Sequence, residues 1–330
     1  MSVLDQSPIP EGLTAGDALR NTIDLARFAD ALGYRRYWLA EHHGTPGLAC
    51  ASPEVMIAPI AAATSRIHVG TGGVMLPHYS PLKVAETFSM LSSLFPERID
   101  LGLGRAPGTS ATVAHALQRD RRQPPLDDFR EQLDELLGYF GQRKQPAGPF
   151  RQIPSMNFTS PEPWLLGSSP QSAVWAAELG LPYAFADFIN PEGAAYANYY
   201  REHFQPSERL AQPHVAVAVW AICADSKEEA VRLSASGRMM LLNLYRGRLI
   251  PVPPVERAVA FLEQEGLPIG ALPPNRRMVT GAPAEVRAAL ESVAVEYGAT
   301  EVFVVNIMHS HQARRRSYEL IAGAFEFPTP

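Results

Sequence analysis

The 330-residue chain has little of what marks several protein classes. Two cysteines, Cys50 and Cys223, are too few for a disulfide framework or a four-ligand zinc site, and they suit a reducing compartment. A net charge of −5 offers no basic surface for nucleic acid or an anionic membrane. No stretch approaches the roughly 18 consecutive apolar residues of a membrane helix. The start, with Asp5, Pro8, Pro10 and Glu11, lacks the basic and apolar regions of a signal peptide. The expectation is a cytoplasmic protein with no membrane and no nucleic-acid partner. Histidines adjoin only at 42/43 and 309/311, and neither pair has the HExxH spacing, so no metal site is expected. No GxGxxG follows the first strand pattern, which argues against a doubly wound nucleotide-binding sheet.

What is present is an alternation. Short apolar runs bounded by turn residues read as strands at 2–5, 37–40, 67–70, 99–104, 164–166, 183–186, 215–223 and 302–306. Between them lie helical patterns opened by Ser-Pro at Ser52, Ser80 and Ser169 and stopped by Gly33 and Gly180. Near-continuous apolar strands covered by helices indicate a parallel sheet buried on both faces. Eight such units without a break predict an α/β protein folded as a single (β/α)₈ TIM barrel over residues 1–330. Proline-rich insertions are predicted near residues 143–163 and 246–281. The second is expected at the barrel mouth as the chain's most mobile part.

Four constellations lie at strand ends, where a parallel barrel builds its active site. Glu41-His42-His43 closes the second strand. Side-chain alternation puts His42 with Trp38 and Ala40, and His43 with Leu39 and Glu41, so only one imidazole faces the cavity. Either could act as a general acid/base, and either could simply bond a backbone carbonyl. Gly72-Gly73 interrupts the end of the third strand, as a tight turn or as a backbone shelf for a flat ring. Arg105 follows the fourth strand among small residues, where a guanidinium could bind phosphate or form a surface salt bridge. Gly167-Ser168-Ser169-Pro170-Gln171-Ser172 is a strand-to-helix junction, an anion site or an ordinary cap. Cys50 reads as a small buried residue.

The blocks WLAEHH, VGTGGVMLPHYSP, RIDLGLGRAPG and WAAELGLP, in this order, resemble the bacterial luciferase-like family of flavin-dependent monooxygenases. The resemblance implies a (β/α)₈ barrel and a two-component enzyme. Reduced FMN (FMNH2) would come from a separate NAD(P)H:flavin reductase and would react with O₂ to a peroxyflavin. That species would oxidise an aldehyde, a carbonyl or another small organic substrate. The resemblance assigns catalysis to His42, a cis peptide under the flavin to Gly72-Gly73, and phosphate binding to Arg105, Ser168, Ser169 and Ser172. It also implies a homodimer formed through the helices around residues 53–64 and 81–94, with Ala58, Ala61, Ala62, Ala85 and Met90 at the contact. Gly104 stands where the light-emitting members carry a reactive cysteine, and Ser168 stands where they carry an acid, so light emission is not expected. Deazaflavin F420 used on the same fold, and a flavin-binding protein without catalysis, are the alternatives. With His42 as acid/base, activity is expected to follow a group titrating between about pH 5 and 8.

Overall fold

A computed structural model describes residues 1–118, 120–122, 127–141, 159–269 and 277–327. The elements run β1 (Ser2–Asp5), α1 (Ala15–Leu32), β2 (Arg36–Leu39), α2 (Pro53–Ala63), β3 (His68–Met75), α3 (Pro81–Leu94), β4 (Ile99–Gly104), α4 (Ala111–Leu117) and α5 (Phe129–Tyr139). They continue as β5 (Glu162–Gly167), α6 (Pro170–Leu179), β6 (Tyr183–Ala186), α7 (Ala194–His203), β7 (Val215–Cys223), α8 (Lys227–Tyr245) and α9 (Val255–Gln264). The last are β8 (Met278–Gly281), α10 (Pro283–Tyr297), β9 (Glu301–Val305) and α11 (His311–Ala324).

Eight parallel strands close on themselves in the order β1-β2-β3-β4-β5-β6-β7-β9, and β9 returns to β1. This is the (β/α)₈ barrel expected from the alternation. The helix signals act as predicted: Thr14 and Asp17 form a capping box on α1, and Gly33 ends it at φ 88°. Strand alternation divides the core in two. Val3, Tyr37, Leu39, Val217 and Val219 pack outward against the helices. Leu4, Trp38, Ala40, Ala216, Ala218 and Phe303 point into the lumen. There Trp38 stacks on Phe303 with centroids 4.1 Å apart and meets Trp164 edge-on at 5.1 Å.

The N-terminal end of the barrel is plugged by charge. Arg36 Nη1 donates to Asp100 (2.6 Å) and Glu162 (3.0 Å), and Arg36 Nε donates to Glu301 (3.3 Å). Asp100 also accepts from Trp38 Nε1 at 2.7 Å, and Glu301 accepts from Ser2 Oγ at 2.5 Å. His68, Asp100 and Glu162 each bring a possible metal-binding atom within 4.8 Å of the others. The Arg36 guanidinium already bridges the two carboxylates there. Burial alone would pull the Arg36 pKa down, but the charges of Asp100, Glu301 and Glu162 outweigh it and hold it above its ordinary value. Burial likewise favours a neutral Glu301, yet hydrogen bonding to His214 and the charge of Arg36 bring its pKa to about 2.

The 246–281 segment differs from its expected character. It contains α9, whose Ala258 and Leu262 pack on Ala235 and Met239, and β8, which is hydrogen-bonded along β7. These two elements are regular, packed structure rather than a loose insertion. Trp220 pairs with Val305 on one side and Met278 on the other, so β8 lies on the edge of β7 that β6 has left. The 143–163 insertion falls mostly outside the described residues, and its last two positions already belong to β5. No helix among the described residues is long and apolar enough to cross a membrane.

Candidate functional site

A cavity of about 290 Å³ opens at the C-terminal ends of the strands. Leu4, Trp38 and Phe303 form its floor, continuing the lumen layer upward. Gly72, Gly73, Arg105, Ser168, Ser169 and Ser172 all line it, so residues spread over one hundred positions of sequence meet in one cavity.

On β3 the peptide bond Gly72–Gly73 is cis. A Cβ on Gly72 would strike Leu4, and one on Gly73 would lie 2.7 Å from both the Gly102 carbonyl oxygen and Leu166 Cδ1. Bare backbone is what fits here, giving a flat shelf above an apolar floor.

At the other end of the cavity β5 runs into α6. Ser169 is the N-cap in extended conformation, followed by Pro170, but its hydroxyl makes no capping bond. The reading of Ser169 as a plain cap is therefore not realised, and the positive end of the α6 dipole is left to another acceptor. Ser172 Oγ donates to the Ser169 carbonyl at 2.8 Å and meets Tyr183 Oη at 3.2 Å, so it shapes the turn from inside. Arg105 is exposed and has no carboxylate partner among the described residues, so the salt-bridge reading is not realised either. Its guanidinium carbon lies 5.6 Å from the Trp175 ring centroid, and Trp175 stacks on Phe129 at 5.4 Å. This aromatic platform holds the cation in place. It was readable in principle, because Trp175 follows Ser172 by three positions on one helix face.

The two histidines separate as alternation predicts. His43 leaves the lumen: its Nε2 is 2.7 Å from Glu41 Oε1, and its ring stands edge-on to His78 at 5.9 Å. His42 lies past the end of β2. It is half-buried, its backbone N–H donates to the Cys50 carbonyl (2.9 Å), and its enclosed Nδ1 has no partner among the described residues. It is not among the residues lining the 290 Å³ cavity, although Trp38, four positions earlier, is. Burial, with a smaller contribution from His43, pulls the His42 pKa down to about 4. This lies below the pH 5–8 window expected for its titration, because enclosure disfavours the charged form. Burial pushes the Cys50 thiol up to about 12, which fits an inert residue.

Sequence reasoning missed a buried carboxyl beside the cavity. Asp187 follows β6, between the cavity-lining Ala186 and Phe188, but turns outward. Its Oδ2 accepts from Tyr297 Oη at 3.0 Å and lies 3.2 Å from Arg277 Nε, while its Oδ1 has no partner among the described residues. Burial, opposed by Arg277, raises its pKa to about 6. Only its place at a strand end could have flagged it.

The cavity offers an anion-binding corner and a flat apolar-floored shelf, with the His42 imidazole outside its lining. These suit a phosphorylated, flat heterocycle such as FMN. Comparison with known proteins agrees. Residues 1–301 match the family described as "Luciferase-like monooxygenase". A protein of that name from Escherichia coli (strain K12) is 41% identical over 320 residues, covering 97% of this chain and 95% of its own. The "N-acetyl-S-alkylcysteine monooxygenase" of Bacillus subtilis (strain 168) is 37% identical, covering 98% and 97%. The crystal structure of apo-MsnO8 superposes with a TM-score of 0.89 at 40% identity, over 100% of this chain and 99% of that one. The oxygenating constituent of 3,6-diketocamphane monooxygenase from Pseudomonas putida, solved with FMN, gives 0.74 at 19% identity over 100% and 99%, a likeness of fold alone. A match of this extent, on a barrel with this cavity, establishes that the chain belongs to the luciferase-like monooxygenase family.

Proposed function

We propose that this oxidoreductase is an FMN-dependent monooxygenase of the two-component type, supplied with reduced FMN by a separate NAD(P)H:flavin reductase. The overall change would be reduced FMN + O₂ + substrate giving FMN + oxygenated substrate + water. The observation that carries the reading is the conjunction of a carboxylate-free Arg105 and an uncapped α6 N-terminus in the cavity that also holds the glycine shelf. Reduced flavin, when bound, supplies the electrons that activate O₂. The chain's own residues do the rest. Arg105, Ser168 and the first turn of α6 hold the phosphate, and Ser169 Oγ adds a donor. Gly72 and Gly73 leave room for a ring against Leu4 and Trp38. The apolar floor excludes water from the reacting centre. His42, kept neutral, takes or returns a proton during oxygen transfer.

The substrate is an aldehyde, a ketone or another small organic molecule. The names of the two relatives add thioethers and cyclic ketones to the compounds to test. The deciding experiment is oxygen consumption with chemically reduced FMN across a panel of these compounds, with product and peroxide measured together. Tight binding of FMN and product formation are expected. Turnover with F420 but not FMN would overturn the reading.

A homodimer is part of the proposal. Val55 on α2 and Met90 and Leu94 on α3 are 66%, 55% and 67% exposed, which is apolar surface suited to a second copy. Of the small residues expected at the contact, Ala61 and Ala85 are buried against the chain's own core and cannot take part. Light scattering tests this, and a monomer at micromolar concentration contradicts it.

A further inference from the structure

β2 and β3 share a ladder only from Arg36↔His68 to Leu39↔Thr71. Past Thr71 the pairing of β3 with β4 shifts register and resumes at Val74 and Met75, beside the cavity. β2 has ended by then, so the Met75 N–H points to a place where no strand supplies a carbonyl. A side chain supplies the acceptor. Glu41, two residues beyond β2 and fully buried, accepts from Met75 N–H through Oε2 at 3.0 Å. Its Oε1 meets His43 Nε2 at 2.7 Å.

We propose that Glu41 is a positioning residue whose carboxylate replaces the missing rung between β2 and β3, and so fixes the His42 backbone against the glycine shelf. His42 is then held from two sides, by Glu41 on β3 and by its own N–H on Cys50. A buried carboxylate is tolerated here because each oxygen meets a donor, and removing it strands the Met75 N–H in apolar surroundings. The functional half of this inference rests on the reading of His42 as the proton-handling group, while the structural half does not.

The test compares Glu41→Leu, which keeps volume but cannot accept, with Glu41→Gln, whose amide oxygen can still take the Met75 N–H. Amide exchange at Met75 should quicken at least ~10-fold in Glu41→Leu and stay within about 3-fold of wild type in Glu41→Gln. The ring signals of His42 should shift in Glu41→Leu only. Affinity for oxidised FMN should change less than about 3-fold in both variants, because the Glu41 carboxylate makes no hydrogen bond to Arg105 or to the Ser168–Ser172 turn among the described residues. Should Glu41→Leu not fold, the wild type alone still decides: an unprotected Met75 amide overturns the proposal. So does equal Met75 protection in Glu41→Leu and wild type, or an equal loss in both variants. Failure of wild type to bind FMN would sink the FMN reading and leave the exchange result to judge Glu41 by itself.

Discussion

The two ends of the barrel spend their polar groups in opposite ways. At the N-terminal end the carboxylates of Asp100, Glu162 and Glu301 are all tied to the one guanidinium of Arg36. At the C-terminal end, among the described residues, Arg105 has no carboxylate partner, the Ser169 hydroxyl caps nothing, and His42 Nδ1 has no hydrogen-bond partner. Saturated groups hold a structure, whereas unsaturated ones are available to a ligand. The contrast is not complete, since the indole N–H of Trp164 near the plug also lacks a partner among the described residues.

Substitutions can break this contrast from either side. The largest effect is expected from His42→Ala. It should slow substrate oxidation by about 10²–10⁴-fold, raise peroxide release and leave FMN affinity and stability nearly unchanged. His43→Ala should cost less. With His42 at about 4, wild-type kcat should not lose this group's contribution between pH 8 and 5, and should decline only as pH approaches 4. A His42-dependent inflection near pH 6.5 would contradict the enclosed geometry.

Next in size is Arg36→Ala, which leaves three carboxylates facing one another at the closed end. About 3–5 kcal/mol of stability should be lost, read from urea unfolding, and a folded fraction should keep its FMN affinity. Arg105→Ala should do the reverse. Stability should hardly move, while FMN binding weakens by about 1.5–3 kcal/mol and riboflavin binding much less. Equal losses for the two flavins would place the phosphate elsewhere.

The smallest effect concerns pH. Glu301 titrates at about 2 in the fold, below the ordinary 4.5, so its contribution is present above pH 4.5 and disappears as pH falls towards 2. Glu301→Gln should flatten that acid limb of the stability curve. An unchanged limb would show that the plug is not what acid removes.

The fold was legible where physics is local. Residues 99–104, 183–186 and 215–223 are apolar runs between turn residues, and each is a strand over just those positions. β8 escaped notice because Met278-Val279-Thr280-Gly281 is four residues long, follows prolines and owes its pairing to the far end of β7. Arg105 and the three serines could be found because each sits where a strand stops. That Ser169 leaves the helix uncapped, that enclosure holds His42 neutral, and that Glu41 reaches Met75 depend on neighbours 30 or more positions away or on burial, which no local pattern encodes.

β7 has one further consequence. It is nine residues long, more than twice the length of β6 beside it. A closed sheet of unequal strands has an uneven rim, and here β8 builds on the tall side. Past Trp220, where its pairing with β9 ends, the top of β7 is hydrogen-bonded to β8 alone, a two-stranded ribbon standing above the cylinder. Amide protection should climb past the barrel there, to Ile222 and Cys223. Away from that ribbon the exposed guanidinium of Arg105 stands at the cavity mouth, where the charged tail of a bound molecule would meet it.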